Sequence, residues 1–414
     1  MRRLWPLTVR GTGALILAIG CFIVANETGV AELQYFGILL LAVLAASVIS
    51  LHLARRSDSI SRTLHPDVAT VGQDSLVTVQ VGMRAAIPTP AGTWHDALPK
   101  GLSGRAQGDF PALGSGLRGA NRTVQLSYRV AALRRGIHSI GPLTVRSTDP
   151  FGLARRVSTF AERTAVTVAP AVIDLPPLAD FAGEAGGTLH TTTNQLGQGA
   201  DNLVARPYVP GDSMRRVHWR ATAHRGELMV RQEEQESTPE ASVVLDRGVL
   251  RWSTEAMQAP GLDPGFETAV SACVSVVARL VHDGYAVEVI DTDGMLLAER
   301  IDGDDSAEVD ALLTLFATLT ARRDDSLGQL NRLFAGVTTG PVILITGRFD
   351  PADAATIAPV AHHSTLPMLI AVAPVGDALD RAADAGWHVS ALGPEGDVAA
   401  AWGDTVGRGV SHVG

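Results

Sequence analysis

Two apolar stretches stand back to back at the start of this chain, roughly Thr12 to Ala25 and Phe36 to Ala54. Arg2, Arg3 and Arg10 precede the first, and Arg55, Arg56 and Arg62 follow the second. The link between them, Asn26 to Tyr35, carries Glu27 and Glu32 and no Lys or Arg. Basic flanks stay in the cytoplasm, so the pattern predicts a membrane hairpin of two helices over residues 1–56 with both ends inside. Everything after it is then expected in the cytoplasm, at the inner face of the plasma membrane. The second stretch would span about 28 Å as a helix, close to the thickness of a hydrocarbon core. The first is shorter, carries Gly13 and Gly20, and can borrow Trp5 to Val9 if Arg10 snorkels to the headgroups. A cleaved signal peptide would need a small-residue cleavage site and a polar mature start; a longer apolar segment follows instead.

From about Val68 to Val168 the pattern is short and alternating. Ser75 to Val81 and Thr123 to Val130 are period-two strands, and Leu143 to Arg146 and Thr164 to Val168 follow. Turns rich in Pro and Gly separate them, and Gly101 to Gly119 reads as one long loop. This spacing predicts an immunoglobulin-like β-sandwich over 57–172. A connector over 173–240 has no strong period at first and then a dense polar block. From Ala241 onward the period switches. Apolar strands at 241–245, 285–290, 341–346, 368–372 and 388–392 alternate with helical stripes such as Val270, Cys273, Val277 and Leu280. A helix is expected over 377–385. That alternation predicts an open, mostly parallel α/β domain over 241–414, covered on both faces.

The formal net charge of −9 argues against general nucleic-acid binding. The two cysteines, Cys21 and Cys273, lie far apart, which suits a reducing compartment without a disulfide framework. No Walker-type Gly-Lys-Ser/Thr loop occurs, so the chain itself is not expected to hydrolyse ATP.

Two motif segments carry a family resemblance. The first is Arg134-Arg135-Gly136-Ile137-His138-Ser139-Ile140-Gly141-Pro142, followed by Asp149-Pro150-Phe151-Gly152-Leu153. The second runs Arg206-Pro207-Tyr208-Val209-Pro210-Gly211-Asp212, then Arg216-Val217-His218-Trp219-Arg220, then Gly226 to Arg231. Together these resemble the bacterial DUF58 family over nearly the whole chain. The resemblance implies a membrane-tethered cytoplasmic protein whose last domain is von Willebrand factor A-like (Rossmann-like). It also implies association with MoxR-type AAA+ ATPases, without an established enzymatic activity.

Read physically, Val209 to Asp212 is turn chemistry. Arg216, Arg220 and Arg231 are candidates for buried or half-buried pairing with Asp212, Glu227 and Glu233, because the guanidinium fork matches a carboxylate. Trp219 adds a large apolar body. The block either welds the connector onto the α/β sheet or offers a docking surface. Gly211-Asp212-Ser213 invites a hydrolase reading, but Pro207 and Pro210 precede it and no apolar helical stripe follows. A working von Willebrand A-type metal site has Asp-x-Ser-x-Ser after its first strand, where this chain has Asp246-Arg247-Gly248-Val249-Leu250. With one aspartate and no hydroxyl left, no metal is expected there, and Asp246 is free to pair with Arg247 or a motif arginine. Asp291-Thr292-Asp293-Gly294 lacks the later ligands of a calcium loop and reads as a hairpin turn, and the other acid clusters look bland.

Open α/β domains bind ligands at the carboxyl ends of their strands, which singles out Asp246, Arg247, Thr346 and Arg348 as the candidate ligand face. The favoured reading is a membrane-anchored scaffold or adaptor without a cofactor, partnering lipid and a MoxR-type ATPase in protein or envelope-complex assembly. The rivals are a metal-dependent or hydrolytic enzyme on the same sheet, and a structural envelope-assembly protein with no ATPase.

Overall fold

The structure is a computed structural model describing residues 5–53, 56–84, 91–112, 122–178, 203–208, 214, 217–233, 238–324, 327–336 and 339–407. It divides into two units. The first holds residues 1–171 with 259–262 and 314–319, and the second holds 172–258, 263–313 and 320–414.

In the first unit, helix α1 (Val9–Thr28) and helix α2 (Ala31–Leu53) form an antiparallel pair. The Thr8 side chain accepts from the Gly11 N–H at the start of α1, and Gly29 closes it in the left-handed conformation, φ 72°. The ten-residue link expected from the apolar pattern is therefore wrong. Helical hydrogen bonding continues through its polar residues and breaks at Gly29 and Val30 alone, because apolarity marks lipid contact rather than the backbone ladder. Gly11, Ala18, Cys21 and Ala25 make the buried stripe of α1. A side chain at Gly37 of α2 would press on the Phe22 ring and the Ala18 carbonyl, so small residues set this close approach. By length and apolarity three helices among the described residues could cross a membrane. The third, Pro264–His282, is mostly buried inside the second unit.

The β-rich region follows with β1 (Arg56–His65), β2 (Ala69–Thr70), β3 (Asp74–Arg84), β4 (Gly92–Asp96), β5 (Leu102–Gly104) and β6 (Gln107–Phe110). Then come β7 (Arg122–Ala132), β8 (Gly136–Ile140), β9 (Leu143–Thr148), β10 (Arg155–Phe160) and β11 (Thr164–Ala169). Two antiparallel sheets have the orders β1-β3-β7-β5 and β10-β9-β4-β6, and in a third, mixed sheet, β2-β11-β8, β11 runs parallel to β2 and antiparallel to β8. Alternate residues of β3 (Val77, Val79, Val81) and β7 (Val124, Leu126, Tyr128, Val130) share a core with Trp94, Phe110, Leu143 and Val145 of the second sheet. Within it, Arg62 and Asp96 form a bidentate pair at 2.9 and 3.1 Å, and the Tyr128 hydroxyl donates to Asp96 at 2.9 Å. The loop expected over 101–119 contains β5 and β6. Both are too short, and too polar outside Leu102 and Phe110, to show a period. Arg135 of the first motif is buried and donates to the carbonyls of Phe316 and Leu319 in the same unit.

The second unit contains a two-stranded antiparallel pair, β12 (Leu203–Pro207) and β13 (Met229–Glu233), with a short helix, Trp219–Arg225, between them. Its main sheet is wholly parallel. The strands β14 (Glu240–Leu245), β15 (Ala286–Ile290), β16 (Thr339–Phe349), β17 (Ser364–Pro374) and β18 (His388–Ala391) lie in the order β15-β14-β16-β17-β18. They fall where the apolar runs placed them. Helices Pro351–Ile357 and Val398–Gly407 add to the expected set. The first starts from a capping box of Asp350 and Asp353 and is too short to show a stripe.

Parallel strands pack backbone to backbone most tightly at Gly340 of β16, where an added Cβ would lie 1.8 Å from the Glu240 carbonyl oxygen. Gly340→Ala is expected to lower the melting temperature of the full chain in detergent. Gly403→Ala, in open space on the Val398–Gly407 helix, is expected to raise stability by about 0.5–1 kcal/mol.

Candidate functional site

The strand order places a topological switch between β14 and β16, where their connections leave in opposite directions along the sheet. Asp246 follows β14 directly and Thr346 lies in β16. Both are fully buried, and the Thr346 hydroxyl donates to Asp246 Oδ2 at 2.9 Å. The other carboxylate oxygen, Oδ1, accepts from the Gly248 N–H at 2.9 Å.

Among the described residues, the cation that meets Asp246 is not Arg247. It is Arg251, whose Nε lies 3.5 Å from Oδ2. Arg251 Nη1 also donates to Asp353 Oδ2 at 2.7 Å, and that same oxygen caps the Pro351–Ile357 helix. The turn Val249–Arg251 passes so close to β16 that a Cβ at Gly347 would lie 2.3 Å from the Arg251 carbonyl oxygen. Trp252 Nε1 donates to the Asp246 carbonyl at 2.8 Å and pins the far side of the turn.

Arg247 points instead toward the end of β15. Its Nε donates to the Thr320 carbonyl at 2.9 Å and its Nη1 lies 3.7 Å from Asp291 Oδ2. Asp291 is 1 % exposed and also accepts from Arg322 Nη1 at 3.2 Å, while Arg322 Nη2 donates to Asp293 at 2.5 Å. The run Asp291 to Gly294 does make a turn, with Gly294 at φ 85° and the Asp291 N–H donating to the Met295 carbonyl. It is not bland, because its first aspartate is a buried charge. Arg251, Arg322 and Asp353 escaped the sequence reading, which took Asp291 only as the start of a turn. Arg251, Asp291 and Asp353 each lie within six residues of a strand's carboxyl end, whereas Arg322 carries no such signal in residue order.

Burial pushes the Asp246 carboxyl up to about 6 from its ordinary 3.8. The Gly248 and Thr346 hydrogen bonds and the Arg251 charge oppose that rise, and Asp291 adds to it. Burial lowers Arg247, and the hydrogen bond to Asp293 raises Arg322. A divalent cation of the von Willebrand A type does not fit these residues. Asp246 and Thr346 supply two oxygens where an octahedral ion wants six, and a guanidinium occupies the approach to the carboxylate. Arg348, the fourth candidate, is exposed and stands apart from the buried pair.

In the motif block, Arg206 pairs with Val230 and Arg231 with Ala205 in the β12–β13 ladder. The Tyr208 N–H donates to the Leu228 carbonyl at 2.8 Å. Trp219 is 67 % exposed, and Arg220 and Glu227 are exposed as well. The short helix they open is capped by His218 Nδ1, which accepts from the Ala221 N–H. Pro210, Gly211, Asp212 and Arg216, with Ser213 of the hydrolase reading, lie outside the described residues.

Two apolar helices ahead of a β-rich region fit a membrane-anchored protein. Residues 204–291, which contain the second motif segment, match the family described as protein of unknown function DUF58, and the resemblance is borne out over that stretch. The match runs from β12 to Asp291 and takes in Asp246, Arg247 and Arg251. The uncharacterized protein YeaD of Bacillus subtilis (strain 168) is 23% identical over 288 residues, which is 69% of either chain. Among solved structures, a CARDB domain from Pyrococcus furiosus is 17% identical, covering 28% of this chain and 94% of its own at a TM-score of 0.19. The alkylpurine DNA glycosylase AlkC of Pseudomonas fluorescens is 11% identical, covering 34% and 40% at 0.17. Scores this low carry no argument about this chain.

Removing one partner of a buried pair strands the other. Arg251→Met is expected to cost about 3–5 kcal/mol in chemical denaturation, and Arg251→Met with Asp246→Asn is expected to recover most of it. The raised Asp246 carboxyl also makes stability depend on pH. The folded chain holds this proton more tightly than the unfolded chain, so the contribution is complete below about pH 4 and is lost as pH rises through about 6. Relative to the wild type, Asp246→Asn is expected to gain about 3 kcal/mol between about pH 4 and about pH 7 in urea titrations.

Proposed function

We propose that this chain is a membrane-anchored cytoplasmic scaffold or adaptor that holds a partner at the carboxyl edge of its parallel sheet. The partner is a MoxR-type AAA+ ATPase acting in protein or envelope-complex assembly. We read the first unit as an immunoglobulin-like sandwich carried on the membrane hairpin, and the sheet as a von Willebrand A-like domain that works without a metal. Arginine-rich flanks on both sides of the hairpin support the cytoplasmic side.

One observation carries the reading. The charges at the sheet edge are already matched inside the protein, Asp246 by Arg251 and Asp291 by Arg322 and Arg247. What the same turns present outward is apolar: Leu250 after β14 and Met295 and Leu296 after β15 are all exposed. Arg348 adds an exposed cation at the end of β16. Such an edge suits recognition of an apolar surface bearing a carboxylate better than it suits bond-making, which needs a nucleophile and base left free to react.

Affinity capture of the full chain from membranes, read by mass spectrometry, tests this. The wild type is expected to bring down a MoxR-type ATPase. The variant with Leu250→Asp and Leu296→Asp is expected to lose it while keeping its melting temperature. Equal recovery with both chains would refute the proposed docking edge, and capture without any ATPase would favour a structural assembly role.

A further inference from the structure

The Asp149–Leu153 motif has no part in the sheet edge, yet it is built with care. It turns between β9 and β10. Asp149 is buried, and its carboxylate accepts from the Phe151 N–H at 3.0 Å and the Ala154 N–H at 2.6 Å. Gly152 takes φ 70°. This fixes a tight loop that holds Phe151 out, 66 % exposed.

The same loop is fastened to the ends of both apolar helices, all within the first unit. The Thr8 hydroxyl donates to the Gly152 carbonyl at 2.6 Å, and the Thr8 N–H donates to the Leu153 carbonyl at 2.9 Å. The Arg155 N–H donates to the Pro6 carbonyl at 2.7 Å. Gly11 lies so close that a Cβ there would come within 1.9 Å of the Leu153 carbonyl oxygen. At the other helix, Arg156 Nη1 donates to the Leu51 carbonyl at 2.7 Å in the last turn of α2. Phe151 is thus tied to the point where α1 begins and α2 ends. Trp5, 56 % exposed, stands beside the same contacts.

The polar surroundings are cationic. A groove of ≈ 700 Å³ runs along β9, β10 and β4, lined by Arg146, Arg155 and Arg156 against the single carboxylate of Asp109. Arg10 lies in the first turn of α1, next to Gly152. Aromatic rings and arginines at the ends of spanning helices are the side chains that favour a headgroup layer.

We propose that the Asp149–Leu153 loop is a membrane-interface anchor. Phe151 and Trp5 enter the headgroup layer of the bilayer that α1 and α2 cross, and Arg10, Arg146 and Arg155 face its anionic phosphates. The anchor fixes the β-rich region against the lipid surface. The proposal depends on α1 and α2 spanning the membrane, so the test measures both.

Both native cysteines are buried, so a spin label can be directed to Phe151→Cys, Ile38→Cys or Thr254→Cys of the full chain. Each is placed in nanodiscs of phosphatidylcholine with or without phosphatidylglycerol. Collision with oxygen reports lipid, and collision with a nickel chelate reports water. The label at 151 is expected to meet the chelate roughly threefold less than the label at 254, to meet oxygen more, and to shift further with phosphatidylglycerol. Arg146→Gln with Arg155→Gln is expected to remove the phosphatidylglycerol effect. A label at 151 as open to the chelate as at 254, or shielded from both reagents as under a protein surface, would overturn the anchor while 38 still reads lipid. Water at 38 would overturn the spanning reading and the anchor with it.

Discussion

A carboxylate with no exposure, at the carboxyl end of the central strands of a parallel sheet, must find a positive partner and hydrogen bonds or fail to ionise. Asp246 finds Arg251, the Thr346 hydroxyl and the Gly248 N–H. Much of the sheet edge follows from that. Arg251 reaches it only because the turn Val249–Arg251 lies flat on β16, which requires Gly347. The same guanidinium continues to Asp353 and so ties the first turn of the next helix to the end of β14. Asp291 repeats the arrangement one strand over with Arg322 and Arg247. Two buried anions are thereby held by three arginines of the protein's own.

The backbone groups left open at helix ends impose a similar demand where the apolar helices meet the β-rich region. The β9–β10 turn supplies acceptors to Thr8 at the start of α1, and Arg156 supplies a donor to the last turn of α2. These bonds fix the hairpin to the β-rich region within the first unit.

Periodicity carries information about burial, and so the long, strongly buried elements were legible. The two apolar helices, the alternating strands β3 and β7, and the apolar runs of β14 to β18 were all readable from residue order. The short polar strands β5 and β6 and the capped helix Pro351–Ile357 were not, because two or three buried side chains set no period. At the candidate site, Asp246 and Thr346 were readable from the rule that parallel sheets bind at their carboxyl ends. Arg251 was not, since its pairing depends on a turn whose direction is set by contact with Gly347. In the second motif, the sequence pointed to buried or half-buried arginine pairs, and the structure shows Trp219 and Arg220 in solvent.

Residue order alone therefore determined the class of each segment: a lipid-compatible helix pair with basic flanks, short alternating strands, then alternating strands and helices. These follow from local hydrophobic period and local charge, which a chain displays without folding. Tertiary structure decided which charges meet. Ion pairs such as Asp246 with Arg251, Arg62 with Asp96 and Asp291 with Arg322 join residues that no repeat links. Their partners are chosen by the short distances and low polarity that exist only once the sheets have closed around them.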